Sequence, residues 1–536
     1  MAIVGAAAVV PVVAADERPL RGVIDDAIST AWSRENITPA AASSDEEFLR
    51  RMYLDLVGVI PSYDETVAFL ENSSAAKRGE TIDRLLDDPR FAQHQADVWD
   101  LVLFGRNPPG YDTDKRGGFQ NWLRERFAQN TPYDQWARQI LRAAGNSVDD
   151  GPPVFFMQYR NQPEDASEAI SQIFLGVQLQ CARCHDHPYE PWKQLDFYGM
   201  AAFLSRLDVV SVGKKNELTQ YVIAEKSTGD ILFTGPASQQ TPGKKGDPVK
   251  PKFLLGDELA EPPLPDGFKE VKFESNQPPP PPQFSRKDQL ADWITAADRN
   301  PFFARAAANR LWAQFFGRGL VHPVDNMSPS NSPSHPELLD ALARELVAHK
   351  FDLKWYLREL CNSRTYQLSS RGGSGEAMPR WFQHARTRPL SAEELIESWR
   401  VATNYEAAEQ ASGKKPQSAS RYRPLESGYM LRFFGQPNTG TGDFQGGLHE
   451  HLYLNNGPLG NVIATGKESL FDRLTDAATP LESRVDRLYL ALLNRRPAPD
   501  EQQKFVEYLS AEKQPQDRWR DAIWVLMTCS EFRFNH

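Results

Sequence analysis

Apolar residues recur at helical spacing over most of the chain. Phe48, Leu49, Met52, Tyr53 and Leu56 share one face of a 3.6-residue repeat, and Gly58 and Pro61 stop the run. Ile82, Leu85 and Leu86 mark the next helix, which the pattern ends at Pro89. Val98 to Phe104 is a further apolar stretch, closed by the breaker Asn107-Pro108-Pro109-Gly110. Trp122 to Phe127 and Trp136 to Leu141 continue the pattern, and Asp149 to Pro153 reads as a loop. A helix is then predicted from Pro163. Proline suits a first turn, because its missing N–H would have no partner there. Glu164, Asp165 and Glu168 place negative charge at the positive end of the helix dipole. Ala166, Ile170, Ile173, Phe174 and Val177 form one apolar face, and the pattern predicts that this helix delivers the chain directly to Cys181.

Beyond about residue 207 the period changes. Tyr221-Val222-Ile223 and Ile231-Leu232-Phe233 read as short strands separated by the turn residues Thr228-Gly229-Asp230. Gly243 to Asp247 reads as a loop tip. Pro278 to Pro282 is an unbroken proline run, a stiff linker and a boundary. Helical spacing returns with Phe302, Leu311, Trp312, Phe315 and Phe316, with Leu339, Leu342 and Leu346, with Val485, Leu488, Tyr489 and Leu492, and with Ala522, Ile523, Leu526 and Met527. Ala411 to Gly447 is rich in Gly, Ser and Thr and reads as irregular. The pattern predicts a mainly α protein of two helical domains, residues 16–206 and 285–536. Between them lies a small β-rich insertion with its polyproline linker, residues 207–284.

Composition narrows the classes. A length of 536 residues allows a sizeable core without disulfide or metal staples. The formal net charge is −10, which excludes a protein that coats nucleic acid. After residue 15 no apolar run reaches the ~20 residues that span a bilayer, so no integral membrane segment is expected. Ala2 to Ala15 is apolar and small, charge begins abruptly at Asp16, and Val13-Ala14-Ala15 resembles a cleavage site. Residues 1–15 therefore read as the remnant of a secretory signal, although no basic segment precedes them, and the mature chain is expected in the periplasm or otherwise exported.

One motif carries chemistry. Cys181-Ala182-Arg183-Cys184-His185 has the C-x-x-C-H spacing of covalent c-type haem attachment. Two thiols three positions apart can form thioethers to the two vinyl groups of one haem, and the adjacent imidazole then falls under the iron. The cofactor-binding candidates are Cys181, Cys184 and His185, with His185 as the metal ligand. Three other readings stay open: a redox-active pair, a zinc or iron site completed by His185 or His187, and a local disulfide in an exported protein. For a distal iron ligand His187 is poorly placed, since two residues span at most roughly 7 Å. Met157, Met200, His335, His449 and His451 are the further candidates. Asp186 to Trp192 sets two carboxylates, a second histidine and two aromatics beside the motif. A carboxylate there could hold the free ring N–H of His185, and the aromatics could cover a haem face. Cys361 and Cys529 lie in apolar helical contexts and read as small buried hydrophobes. There is no P-loop, no G-x-S-x-G elbow and no H-E-x-x-H.

The stretch Phe174 to Pro188, followed by Trp192, Tyr198-Gly199 and Ala201-Ala202-Phe203, closely resembles the planctomycete cytochrome-C-like domain, and Phe48 to Pro61 resembles that domain's N-terminal helix. Asn300 to Trp312, Phe315 to Val321, Ser334 to Leu339 and Ser363 to Gln367 resemble the helical partner domain that usually follows it. The resemblance implies an exported, mostly helical protein with a haem on Cys181, Cys184 and His185, and it brings no assigned activity. Many members carry a cysteine after the stretch matching Phe434 to Pro437; here Asn438 to Gly447 has none. The expected function is a c-type haem protein that transfers electrons or serves an unknown redox or envelope partner. The alternatives are a non-haem metalloenzyme, a hydrolase acting on extracellular polymers, using Cys181, Cys184, His185 and His187 with Asp186 or Glu190 as acid/base, and an envelope binding or scaffold protein with a C-x-x-C disulfide.

Overall fold

The computed structural model describes residues 18–105, 117–146, 150–160, 162–215, 218–233, 246, 248–271, 280–375, 378–411, 452–453, 466–510 and 515–536. The signal-like residues 1–15, His449, His451 and the cysteine-free stretch 438–447 lie outside them, as do most of the loop tip at 243–247 and the Gly/Ser/Thr-rich segment.

The chain is mainly α, and the helices begin and end where local chemistry directs. In the first half come α1 (Leu20–Glu35), α2 (Asp45–Val57), α3 (Tyr63–Glu71), α4 (Lys77–Asp87), α5 (Pro89–Phe104), α6 (Gly117–Ala128) and α7 (Tyr133–Leu141). Ser44 caps α2 by accepting from the Glu47 N–H, and a Ser62–Glu65 capping box opens α3. Gly58 ends α2 at φ 67°, where a Cβ would stand 2.2 Å from the His94 ring nitrogen, so both conformation and space require glycine. Pro89 does more than end a helix: Asp88 caps the Arg90 N–H, and Pro89 is the first residue of α5. The short α8 (Val154–Met157) and α9 (Pro163–Ile170) then lead to the motif, and α10 (Gln194–Ala202) leaves it.

The β elements are small and antiparallel. A three-stranded sheet has the order β1 (Gly145–Asn146), β3 (Leu218–Glu225), β2 (Leu207–Lys215), with Val209 opposite Ile223 and a register shift between Ser211 and Gly213. β4 (Ile231–Leu232) pairs with β5 (Pro248–Val249). The two strands read from the sequence are thus present, but in different sheets. The second half holds α11 (Arg286–Thr295), α12 (Pro301–Phe316), α13 (Pro336–Ala348), α14 (Leu353–Asn362), α15 (Ala392–Ala402), α16 (Tyr405–Ala411), α17 (Leu470–Thr475), α18 (Leu481–Leu492), α19 (Pro499–Leu509), α20 (Pro515–Thr528) and α21 (Ser530–Arg533). β6 (Arg388–Pro389) pairs with β7 (Phe534–Asn535).

Packing ignores the proline run. One apolar core joins Ile24, Phe48, Trp99, Trp136 and Phe174 to Trp293, Phe303, Trp312, Leu342 and Tyr356. A second core gathers α15 and α17 to α20, and takes Leu54 and Ile60 from the first half. α2 therefore serves both and is buried on every side, charges included. Arg50 donates to the Asn494 side chain at 2.8 Å and to the Phe532 carbonyl at 2.8 Å. Arg51 donates to the carbonyls of Tyr366 and Leu368. Asp55 accepts from the Tyr366 hydroxyl at 2.6 Å, Asn535 at 2.7 Å and Arg388 at 3.0 Å. Each buried charge has partners, as burial demands.

Candidate functional site: an exposed Cys-x-x-Cys-His turn

The helix from Pro163 does not run into Cys181. After Ile170 it widens into a π turn, Ser171–Leu175, and stops at Gly176 in the left-handed region with φ 67°. Val177 to Leu179 are not helical, and Gln180–Arg183 form a tight 3-10 turn. Segment 320–331, which follows α12, lies alongside. The Met327 N–H donates to the Gly176 carbonyl at 2.7 Å, and Gln178 donates to the Asp325 carboxylate at 3.3 Å. From α12 the Arg310 guanidinium donates to the carbonyls of Gln172 and Ile173 within the π turn.

Burial alternates through the motif. Val177, Leu179 and Ala182 point into the core, and this turns Cys181, Cys184 and His185 outward together. Both thiols are exposed and unbonded. The His185 Nδ1 lies 2.7 Å from the Asp186 carbonyl. A carbonyl can only accept, so the ring proton sits on Nδ1 and the Nε2 lone pair is left to the exposed side. The carboxylate expected to hold this ring does not do so. The Asp186 main chain does, while its carboxylate accepts from the Gln194 N–H at 2.9 Å. Gln194 also donates to the Arg183 carbonyl at 3.0 Å, and the His187 N–H to the Trp192 carbonyl at 2.8 Å, so residues 183–194 close into a braced loop.

Other nearby groups have different work. His187 Nδ1 accepts from the main-chain N–H of Tyr189 and of Glu190, which occupies its exposed-loop nitrogen. Trp192 is buried in an edge-to-face pair with Phe302 and packs the loop down. Tyr189 is 84% exposed and Leu195 52% exposed, leaving apolar surface uncovered beside the motif. Ser330 donates to the Glu190 carboxylate, a second tie from segment 320–331 to the loop. Arg183 pairs with Asp165 at 2.6 Å. Burial holds the carboxyls of Glu168 and Asp325 above their ordinary range, with Arg183 and Arg310 respectively pulling the other way.

The remaining described candidates are buried or half-buried. Met157 and Met200 are fully buried in the first core. His335 is buried against Trp381 and Phe382, and that burial, with Arg34 and Arg380 nearby, pushes its pKa down to about 4. Cys361 is fully buried and Cys529 half-buried; burial raises both thiols, and neither is in a disulfide. Among the described residues no three His, Cys, Asp or Glu side chains converge as a metal-binding group, so the four-donor set of Cys181, Cys184, His185 and His187 is not assembled. A groove of about 980 Å³ between α3, α5, α6 and α15 and a cavity of about 370 Å³ beside α1 and α13 both lie away from the motif. Arg310, Asp325, Met327 and Ser330 were not legible as site residues: no local pattern announces a contact more than a hundred positions distant.

The donor set fits a covalently held haem. It offers two free thiols on one turn, an imidazole with its second nitrogen already committed, and uncovered apolar surface alongside. Residues 23–209 match the family model PSCyt2, described as a protein of unknown function (DUF1549), and residues 286–509 match PSD1, likewise of unknown function (DUF1553). No curated protein and no solved structure matches.

Proposed function

The chain belongs to the planctomycete cytochrome-like two-domain family, a PSCyt2 domain followed by a PSD1 domain, and from that membership we propose an exported protein that carries a c-type haem and serves as a redox module for a partner. Cys181 and Cys184 would hold the porphyrin and His185 the iron. When bound, the haem supplies a one-electron couple. The chain's own part is to hold His185 in one tautomer through the Asp186 carbonyl and to keep both thiols accessible for attachment. The apolar run Ala2 to Ala15 supports export.

The observation that carries this reading is the hydrogen bond from His185 Nδ1 to the Asp186 carbonyl on a turn with two exposed thiols. It would leave Nε2 of His185 free to hold an iron. The metallohydrolase alternative needs at least three donors brought together, and among the described residues no such group is seen.

Export in a host that matures c-type cytochromes tests it. Haem should remain with the polypeptide in a denaturing gel. Cys184→Ala should reduce attachment severalfold, and His185→Ala should change the iron spectrum. A wild-type chain that emerges colourless from a competent host would refute the reading.

A further inference from the structure

We propose that the Asp186 carboxylate is the positioning group of His185: by anchoring on the first residue of α10 it aims the Asp186 carbonyl at the imidazole and so keeps Nε2 unprotonated. This deepens the haem reading above and rests on it for what Nε2 binds. His185 is exposed on an exposed turn, where packing does not orient its ring. In water such a ring exchanges between its two neutral tautomers, and the hydrogen bond made by one nitrogen decides the state of the other. A histidine that is to be a ligand therefore needs an acceptor held still at Nδ1.

The main chain supplies that acceptor. The Asp186 carbonyl lies 2.7 Å from His185 Nδ1. A carbonyl turns with its peptide plane, so the plane itself must be fixed, and two ties do this. The peptide unit is planar and its N–H points away from its C=O. That N–H, from His187, donates to the Trp192 carbonyl at 2.8 Å. The Asp186 carboxylate, on the preceding Cα, accepts from the Gln194 N–H at 2.9 Å.

The second tie ends on a rigid element. Gln194 opens α10, where an N–H has no partner within the helix and negative charge is favoured. Gln194 is buried, and its side chain donates to the Arg183 carbonyl at 3.0 Å, just ahead of Cys184. α10 is braced in turn by the insertion: Lys252 pairs with Asp196 at 2.8 Å and donates its N–H to the Gly199 carbonyl at 3.0 Å. The ties from Arg183 to Asp165 and from Ser330 to Glu190 fall outside residues 184–186. Asp186 thus carries both the acceptor for His185 and the anchor that aims it.

The ring nitrogens of His185 in the full chain without haem test this. They are read by nitrogen NMR of histidine-labelled protein, with the His185 signals identified by their loss in His185→Gln. Wild type should show Nδ1 protonated and Nε2 bare. Asp186→Ala keeps the carbonyl but loses the anchor, and should move both signals toward the averaged values of an imidazole in water. Asp186→Asn, whose side-chain oxygen still accepts from Gln194, should keep the wild-type signals. Gln194→Pro removes the N–H at a first-turn position that suits proline, and should match Asp186→Ala; Gln194→Leu keeps the N–H and should match wild type. In the haem-loaded chain Asp186→Ala should raise the reduction potential, because the ligand becomes less basic. Wild-type signals in Asp186→Ala and Gln194→Pro overturn the positioning role. So does an Asp186→Asn that matches Asp186→Ala, since loss of charge alone would then be the cause. A wild-type chain that takes no haem overturns the haem reading, while the ring signals still decide the role of Asp186.

Discussion

At the scale of single residues the chemistry was legible where it is local and hidden where it runs through the main chain. Cys181, Cys184 and His185 stand out because their spacing is their meaning. The partner of His185 did not, because a sequence shows the Asp186 carboxylate and not which way its carbonyl faces. His335 shows the same limit. It was a candidate ligand by type, whereas its surroundings make it a buried neutral base with a pKa of about 4. The sign of its pH effect follows. Between pH 6.5 and about 4 the unfolded chain takes up a proton that the folded chain refuses, so stability falls as pH falls through that window and levels off below it. The loss is on the order of 3 kcal/mol. Urea unfolding at pH 7 and pH 4.5 should show His335→Phe with a shallower acid loss than wild type. Equal losses would mean that His335 is protonated in the folded state.

At the scale of elements most helices followed from period and punctuation. The π turn and the stop at Gly176 did not, because the apolar face of Ala166, Ile170, Ile173, Phe174 and Val177 continues past the point where the backbone turns. What stops it is long-range, namely the Arg310 and Met327 hydrogen bonds from beyond the insertion. α2 was legible as a helix but not as one buried all round, since its Arg50, Arg51 and Asp55 look like a solvated face. Their partners arrive from residues 366 to 535. Arg388 binds both Asp55 and Glu394, which are buried. Removing one partner of such a cluster leaves charge uncompensated, so Arg388→Met should cost about 3–5 kcal/mol in chemical unfolding. A loss under about 1 kcal/mol, the size of a surface pair, would show that water reaches the cluster.

At the scale of the molecule the proline run reads as a hinge, yet the first core is continuous across it. Lys287 of α11 reaches the Ala143 carbonyl, Arg286 ties to Glu261 and Asp230, and α1 packs on α13 and α14. The residues on either side of the linker share faces that neither half buries alone. A fragment ending at residue 284 should therefore lack the sharp thermal transition and near-ultraviolet dichroism of the full chain. A fragment that melts as cooperatively as the full chain would contradict the shared core. The same continuity sets segment 320–331 against the C-x-x-C-H turn and gives the second half a place in the site.

Whether that exposed turn receives a porphyrin decides the rest. The intact mass of the exported protein, taken under denaturing conditions, answers this directly. The prediction is a chain heavier by one haem, with the added mass on the peptide containing Cys181 and Cys184 and gone when both are replaced by alanine. A chain at its polypeptide mass from a host that loads other c-type cytochromes, with both thiols still open to alkylation, would contradict it.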